Sequence, residues 1–386
     1  MPENALTGAP PSAGRIRRRR TRAAFLTALC TFLLVLPGSF TAATAHEPPV
    51  QLRVMTQNMY LGADLRPVLA ATDTASLIAA VTRVYAQAQA TNFPERAEAM
   101  ADEIADSDPH VVGLQEVKLW RSQTPADFSS TPNATVVEYD FLRTLLDELA
   151  ERGKHYAAVA TITNSDREVP RSTPTGLQDI RLTDQDVILA RTDLPTRRFS
   201  VANPRQGAFA ARLTIPHPVL GSIPFTQGWT SVDATLGGRT MRVVNTHLEA
   251  LSPAVQVRQG AELLAGPLDT DLPTVLLGDL NSAAGGVGAV PGMSDTPTYA
   301  NFLAAGFRDV WTETRRRDPG FTCCQAPDLR NLPSALSQRV DYVLFRNGFE
   351  PVRAERVGEE PGDRTPSGLW PSDHAGVVAA LRLPRR

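Results

Sequence analysis

Cysteine is scarce in this chain: 386 residues carry three, and two of those are the neighbours Cys323 and Cys324. That excludes a small disulfide-stapled scaffold and leaves stability to a hydrophobic core. Long apolar runs are lacking too. The stretch Ala23–Leu36 has 14 residues, short of the roughly 20 that a membrane-spanning helix needs. Excess charge of one sign is missing, with 39 Lys and Arg against 41 Asp and Glu, and no dense basic arm with interleaved aromatics offers a grip on nucleic acid. No internal repeat is visible.

What is there suffices for a sizeable core, since 42% of residues are hydrophobic and 21% charged, which rules out a disordered chain. Glycine and proline, 26 and 31 residues, show no collagen-like period and read as turns of a loop-rich globular protein. Residues 1–45 are set apart. Arg17, Arg18, Arg19, Arg20 and Arg22 precede the apolar stretch, then come Pro37-Gly38 and Ala43-Thr44-Ala45. This is the charged, apolar and small-residue pattern of an export signal, with cleavage expected before His46 and the product secreted. An uncleaved anchor and twin-arginine export are the alternatives. The remaining 341 residues keep 33 basic and 40 acidic side chains, a formal charge of −7, so the overall field does not attract polyanions.

The pair Cys323-Cys324 leaves two readings open. A trans peptide spaces Cα atoms by about 3.8 Å, shorter than the usual disulfide separation, so a bridge would be strained; the other reading is two free thiols. A soft-metal site is not expected, because no His or Cys lies at ligand spacing around Thr322-Cys323-Cys324-Gln325.

Periodicity predicts strands over 52–58, 110–115, 156–162, 186–191, 208–215, 229–236, 240–247, 274–279, 339–345 and 375–382. It predicts helices over 75–90, from 94, 140–152, 253–265 and 298–305. Gly237-Gly238 between two alternating runs signals a hairpin. Segments 121–135, 163–184, 282–297 and 353–371 read as surface loops. Strands and helices mix without regular alternation, which favours a sheet-on-sheet core with helices outside.

Several of these strands end in polar residues: Gln57-Asn58, Gln115-Glu116, Asn245-Thr246-His247, Asp279-Leu280-Asn281, Asp341 and Ser372-Asp373-His374. Polar groups after apolar runs tend to land on one rim of a sheet. The two-residue steps Asn245 to His247 and Asp279 to Asn281 share a face if the chain stays extended. Singly, an Asp that ends a strand is ordinarily a turn former and a lone His a satisfied core residue. If the ends converge, Glu116, Asp279, Asp341 and Asp373 place four carboxylates in one pocket, and like charges so close need protons or cations to compensate. An oxygen-dominated set, with the Asn58 amide, suits magnesium, manganese or calcium better than zinc.

The six motifs Met55-Thr56-Gln57-Asn58, Val112-Gly113-Leu114-Gln115-Glu116, Asn245-Thr246-His247-Leu248, Leu277-Gly278-Asp279-Leu280-Asn281, Gln338-Arg339-Val340-Asp341-Tyr342-Val343 and Ser372-Asp373-His374, in this order, resemble the endonuclease/exonuclease/phosphatase superfamily of metal-dependent phosphoesterases. The resemblance spans about residues 52–383. It implies a four-layered α/β sandwich, two mixed β-sheets packed face to face with outer helices. It also implies one domain over 46–386, although length alone suggests two or three. By the resemblance, Glu116 is the principal metal ligand, with Asn58 beside it and Asp373 helping. Asp279 and Asn281 orient the attacking water and the phosphoryl oxygens. His374, held by Asp341, is base or phosphate ligand, and His247 donates to a nonbridging oxygen.

The implied enzyme is an exported hydrolase of phosphodiesters, nuclease-like, with Mg2+ as cofactor and Mn2+ or Ca2+ as alternatives. A sphingomyelinase-like phospholipid phosphodiesterase or a small-molecule phosphatase is the closest alternative, and a catalytically silent binding protein on the same fold the alternative of another class. The partner is then a phosphoester substrate (nucleic acid, phospholipid headgroup or small organic phosphate). No dedicated protein partner is expected, and the chain is expected to be a monomer. Asp64 is too far along to serve as the acidic residue that follows the first Asn in apurinic endonucleases. Trp229 and Trp311 read as core, while Trp370 beside Ser372-Asp373-His374 is a candidate pocket wall.

Overall fold

The computed structural model describes residues 51–129 and 131–383; the proposed export segment lies outside them. Two mixed sheets form the centre. From edge to edge the first runs Glu350–Val357, Gly376–Arg382, Gln51–Asn58, Val111–Gln123, Gly176–Arg191, Tyr156–Thr173, with Val136–Asp140 added beside Val111–Gln123. The second runs Arg308–Asp309, Asp341–Arg346, Thr274–Asp279, Arg239–His247, Gly228–Leu236, Phe199–Ala208. A separate hairpin joins Leu213–His217 to Gly221–Phe225.

Alternation along the strands builds the layers, because successive side chains point to opposite faces. Val54, Val111, Ile188, Val243, Val275 and Val343 meet between the two sheets. Their neighbours Met55, Val112, Val187 and Leu189 face outward under the helices Thr74–Ala90, Phe93–Ser107 and Phe141–Glu151. On the far side Val244, Leu276 and Leu344 are covered by Pro253–Ala265 and Thr298–Ala304. The result is helices, sheet, sheet, helices. Each fully buried aliphatic side chain contributes about 1.5–3 kcal/mol, so three such apolar seams hold the strand ends of both sheets in a fixed relation.

Several expected boundaries differ. The segment 163–184 is not a loop but most of a long hairpin, in which Tyr156–Thr173 pairs with Gly176–Arg191. Its strands are polar enough to read as loop, yet facing side chains bind each other: Arg181 Nε donates to Asp166 Oδ1 at 2.8 Å, as does Thr183 Oγ1 at 2.8 Å. Such cross-strand pairs stabilise a sheet without apolar alternation. The run 208–215 is interrupted between Ala208 and Leu213, and part of 353–371 belongs to the edge strand Glu350–Val357. The expected strand 110–115 continues to Gln123.

Candidate active site

Register brings the polar strand ends together. In the second sheet His247 lies beside Asp279, and Asp279 beside Asp341. In the first, Asn58 lies beside Gln115. The sheets touch at this end: Gln115 Nε2 donates to Asn245 Oδ1 at 2.6 Å, and Asn245 Nδ2 to the Leu114 carbonyl at 3.0 Å. Gly113 is required here, because a Cβ would sit 2.6 Å from Asn245 Oδ1. Asn245 is therefore a strut between sheets, while His247, two residues on, reaches the site.

Glu116 does not end its strand. The pairing with Gly176–Arg191 shifts between Leu114 and Val117, and Glu116 adopts φ 57°. A bulge with a left-handed non-glycine residue re-aims a side chain at local cost. Here it turns Glu116 toward the Asn58 side: Asn58 Nδ2 donates to Glu116 Oε1 and to Asp279 Oδ2, both at 3.2 Å, and the Leu61 amide donates to Glu116 Oε2 at 2.9 Å. Asn58 Oδ1 accepts from the Tyr60 amide at 3.0 Å, so this carboxamide ties two acids across the sheets.

The second cluster surrounds Asp279. His374 Nδ1 is 2.8 Å from Asp341 Oδ2, which leaves His374 Nε2 facing Asp279 Oδ2 at 3.9 Å and Asp373 Oδ1 at 3.9 Å. His247 Nε2 is 3.6 Å from the same Asp279 oxygen. Asn281 is not extended beyond Asp279; at φ 48° it turns, donating its amide to Asp279 Oδ1 at 2.9 Å and Nδ2 to the Leu248 carbonyl at 3.0 Å. The expected shared face of Asp279 and Asn281 is thus replaced by a turn that fixes the Asp279 carboxylate.

Electrostatics sort the acids. Burial pushes Asp373 up to about 7, with His374 pulling down and Glu116 pushing up. Asp279 is also raised, by burial and by Asp341. Burial would raise Glu116 as well, but Lys118, His247 and His374 outweigh it and hold it at about 2. Burial opposes charge on both histidines, yet the surrounding carboxylates win: Asp341 and Asp373 raise His374, while Asp279 and Asp186 raise His247.

Four supporting groups had no signal in the sequence motifs. Buried Lys118 bridges Asp184 Oδ1 at 2.6 Å and Glu116 Oε2 at 3.7 Å. Asp186, fully buried, accepts from Asn164 Nδ2 at 2.9 Å and interacts with the His247 charge. Arg96 is fully buried and donates to backbone carbonyls of Thr91, Met59 and Pro371, each at 2.9 Å, and of Tyr60 at 3.2 Å. Thr322 Oγ1 accepts from the Val340 and Asp341 amides at 3.2 Å. The next residues, Cys323 and Cys324, form a vicinal disulfide across a cis peptide, the first of the two readings. The fold also brings His374 within 4.8 Å of both sulfurs, a neighbour that sequence spacing does not reveal. Trp370 is not a pocket wall: it is fully buried against Tyr60, Leu329 and Leu369. Asp64 pairs with Arg66 instead of joining the carboxylates.

The donor set fits a hard dication. Four carboxylates converge, and Asp341 Oδ1 and Asp373 Oδ1 are buried without a hydrogen-bond partner. Buried oxygens in that state call for a cation or a proton. Among the described residues Asp279, Asp341 and His374 offer ligand atoms within 4.8 Å of one another.

Comparison with solved structures finds the same architecture. An endonuclease/exonuclease/phosphatase family protein from Bacteroides thetaiotaomicron is similar at TM-score 0.51 and 16% identity, over 88% of this chain and 100% of its own. A mannosyl-6-phosphatase of the same organism is similar at TM-score 0.50 and 15% identity, over 86% and 99%. D. rerio TDP2, complexed with a single-strand DNA product, is similar at TM-score 0.50 and 15% identity, also over 86% and 99%. No curated protein matches in sequence. The family model "Endonuclease/Exonuclease/phosphatase family" matches residues 55–374, from the first strand to His374 itself. With that match laid over the six converging segments, the chain belongs to the endonuclease/exonuclease/phosphatase family, whose members hydrolyse phosphoesters.

Proposed function

We propose that this chain is an exported, divalent-metal-dependent phosphodiesterase that cleaves its substrate by in-line attack of water on phosphorus. The observation that carries the reading is the meeting of Glu116, Asp279, Asp341 and Asp373 with His247 and His374, with buried carboxylate oxygens lacking a donor. Glu116 and Asp373 would hold the cation, with Asn58 keeping Glu116 in place. When bound, Mg2+ supplies Lewis-acid polarisation of a phosphoryl oxygen and offsets charge as it develops. Asp279, its carboxylate fixed by the Asn281 amide, orients the attacking water. His374, steadied through Nδ1 by Asp341, presents Nε2 to the phosphate or to a proton in transit. His247 donates to a nonbridging oxygen. Export rests on the pattern of residues 1–45.

The test is hydrolysis of bis-p-nitrophenyl phosphate with Mg2+, Mn2+ or Ca2+, with a chelator control. Activity is expected to vanish with chelator and return with metal, and His374→Ala to lower kcat by about 10²–10⁴-fold with the fold intact. Cleavage of no phosphoester with any cation, or full activity in His374→Ala, would contradict the reading.

A further inference from the structure

A cavity of about 620 Å³ is lined in part by the two strands that carry Glu116 and Asp186, through Trp120 on the first and Ile180, Leu182 and Asp184 on the second. Its size falls within the 300–1,000 Å³ of small-molecule pockets, far above the water-sized voids of a packed interior. Leu65, Val84, Ile180, Leu182, Val219 and Ile223 line it, with Trp120. Two contact chains join it to the catalytic groups. Asp184, on its wall, is 2.6 Å from Lys118 Nζ, which is 3.7 Å from Glu116 Oε2. Thr226, at another point of the wall, hydrogen-bonds the Asn164 carbonyl, and Asn164 Nδ2 holds Asp186, the partner of the His247 charge.

The strand Gly176–Arg191 supplies the direction. Asp184, Leu182 and Ile180, at alternate positions of this strand, all line the cavity. A rise of about 3.3 Å per residue puts Leu182 about 13 Å along the strand from Asp186, so one strand runs from the phosphate-handling end to the apolar chamber. Asp166 on that wall accepts from Arg181 and Thr183, Asp184 from Lys118, and Glu168 Oε2 from the Asn133 and Ala134 amides. Trp120 Nε1, Glu168 Oε1 and Gln227 Oε1 are buried atoms of lining residues without a hydrogen-bond partner, and Asp166, Glu168 and Asp184 against Arg167 leave the wall net negative, which disfavours a second phosphate. Phe128, 64% exposed, precedes the lining residue Ser129 in sequence, and the lining residue Leu220 is 37% exposed.

We propose that this cavity binds the aliphatic arm of the substrate, so that the enzyme selects phosphodiesters carrying an alkyl or acyl chain. The inference rests on the phosphodiesterase reading and adds the substrate class to it. A series of p-nitrophenyl alkyl phosphates, methyl to octyl, tests it below their aggregation concentrations with Mg2+ present. Water adds to phosphorus as the P–O bond to p-nitrophenolate breaks, and the alkyl phosphate keeps the arm. Burial of a methylene, about 0.8 kcal/mol, corresponds to at most about a fourfold rise in kcat/KM per added carbon until the chamber is full. Val219→Trp and Ile223→Trp, both on the outer hairpin, are expected to abolish that rise while leaving the methyl ester rate unchanged, which also shows that each variant is folded. A flat chain-length profile with the methyl ester cleaved overturns this inference and leaves the phosphodiesterase reading standing. Thymidine 5′-p-nitrophenyl phosphate preferred over the octyl ester, with the preference removed by either Trp, overturns it in favour of a nucleoside. Cleavage of no ester in the series overturns both readings.

Discussion

Arg96→Met probes how the two loops of the site are held. The guanidinium is fully buried, with no carboxylate in salt-bridge contact among the described residues although the charges of Asp373 and Glu116 favour it, and it donates four hydrogen bonds to carbonyls of Thr91, Met59, Tyr60 and Pro371. Met59 and Tyr60 follow Asn58, and Pro371 precedes Ser372-Asp373-His374, so one side chain ties the first motif to the last. A hydrogen bond to a charged group contributes about 1.5–3 kcal/mol, and four of them about 6–12 kcal/mol. Desolvating the cation costs several kcal/mol, consistent with a guanidinium that burial lowers to about 10. The net expectation is a loss of about 3–5 kcal/mol for Arg96→Met, the range for breaking a buried charged arrangement, read from urea unfolding. Because displacements near 1 Å can cost about 10²-fold, kcat/KM under folding conditions should fall by at least about tenfold. Arg96→Lys, a point charge without the planar fork, should lie between. A stability loss under about 1 kcal/mol with unchanged kcat/KM would refute the reasoning.

Two further perturbations are directional. Asp186→Asn removes one of the carboxylates that raise His247, so the alkaline limb of the pH–rate profile should move to lower pH; a profile that stays in place would remove Asp186 from the site. His110 is held down to about 4 from 6.5 by burial and by Arg53 and Arg191, and its Nδ1 accepts the Arg53 amide at 3.0 Å. The unfolded chain protonates this group near 6.5 and the folded chain only near 4. Stability from neutral His110 is therefore present above 6.5 and is lost as pH falls to 4, by up to about 3 kcal/mol. His110→Gln should flatten urea stability over that window, and an unchanged slope would contradict the assignment.

The polar strand ends were legible because register is coupled to pattern: apolar alternation fixed the strands, and the residues ending them were left at one rim. His247, Asp279 and Asp341 meet for that reason. Other features carried no such signal. The bulge that aims Glu116 depends on pairing with Gly176–Arg191, a strand whose outer half has the polar pattern of a loop because its stability comes from polar pairs such as Arg181 with Asp166. Asn281 turns where extension was expected, since its amide finds the Asp279 carboxylate. Arg96 reads as an ordinary helical arginine, because nothing local marks the carbonyls of Met59 and Pro371 as its partners. Trp370 stands next to the site in sequence yet packs behind it, on Tyr60 and Leu369. Cys323 and His374 meet only through tertiary bridging.

The convergent carboxylates are expected to capture a hard dication. Manganese binding followed by electron paramagnetic resonance measures this directly, without turnover. The wild-type chain should bind Mn2+ with competition from Mg2+, and Glu116→Gln should weaken binding by at least about tenfold while remaining folded. Undiminished Mn2+ affinity in Glu116→Gln, or no binding by the wild-type chain, would contradict the account.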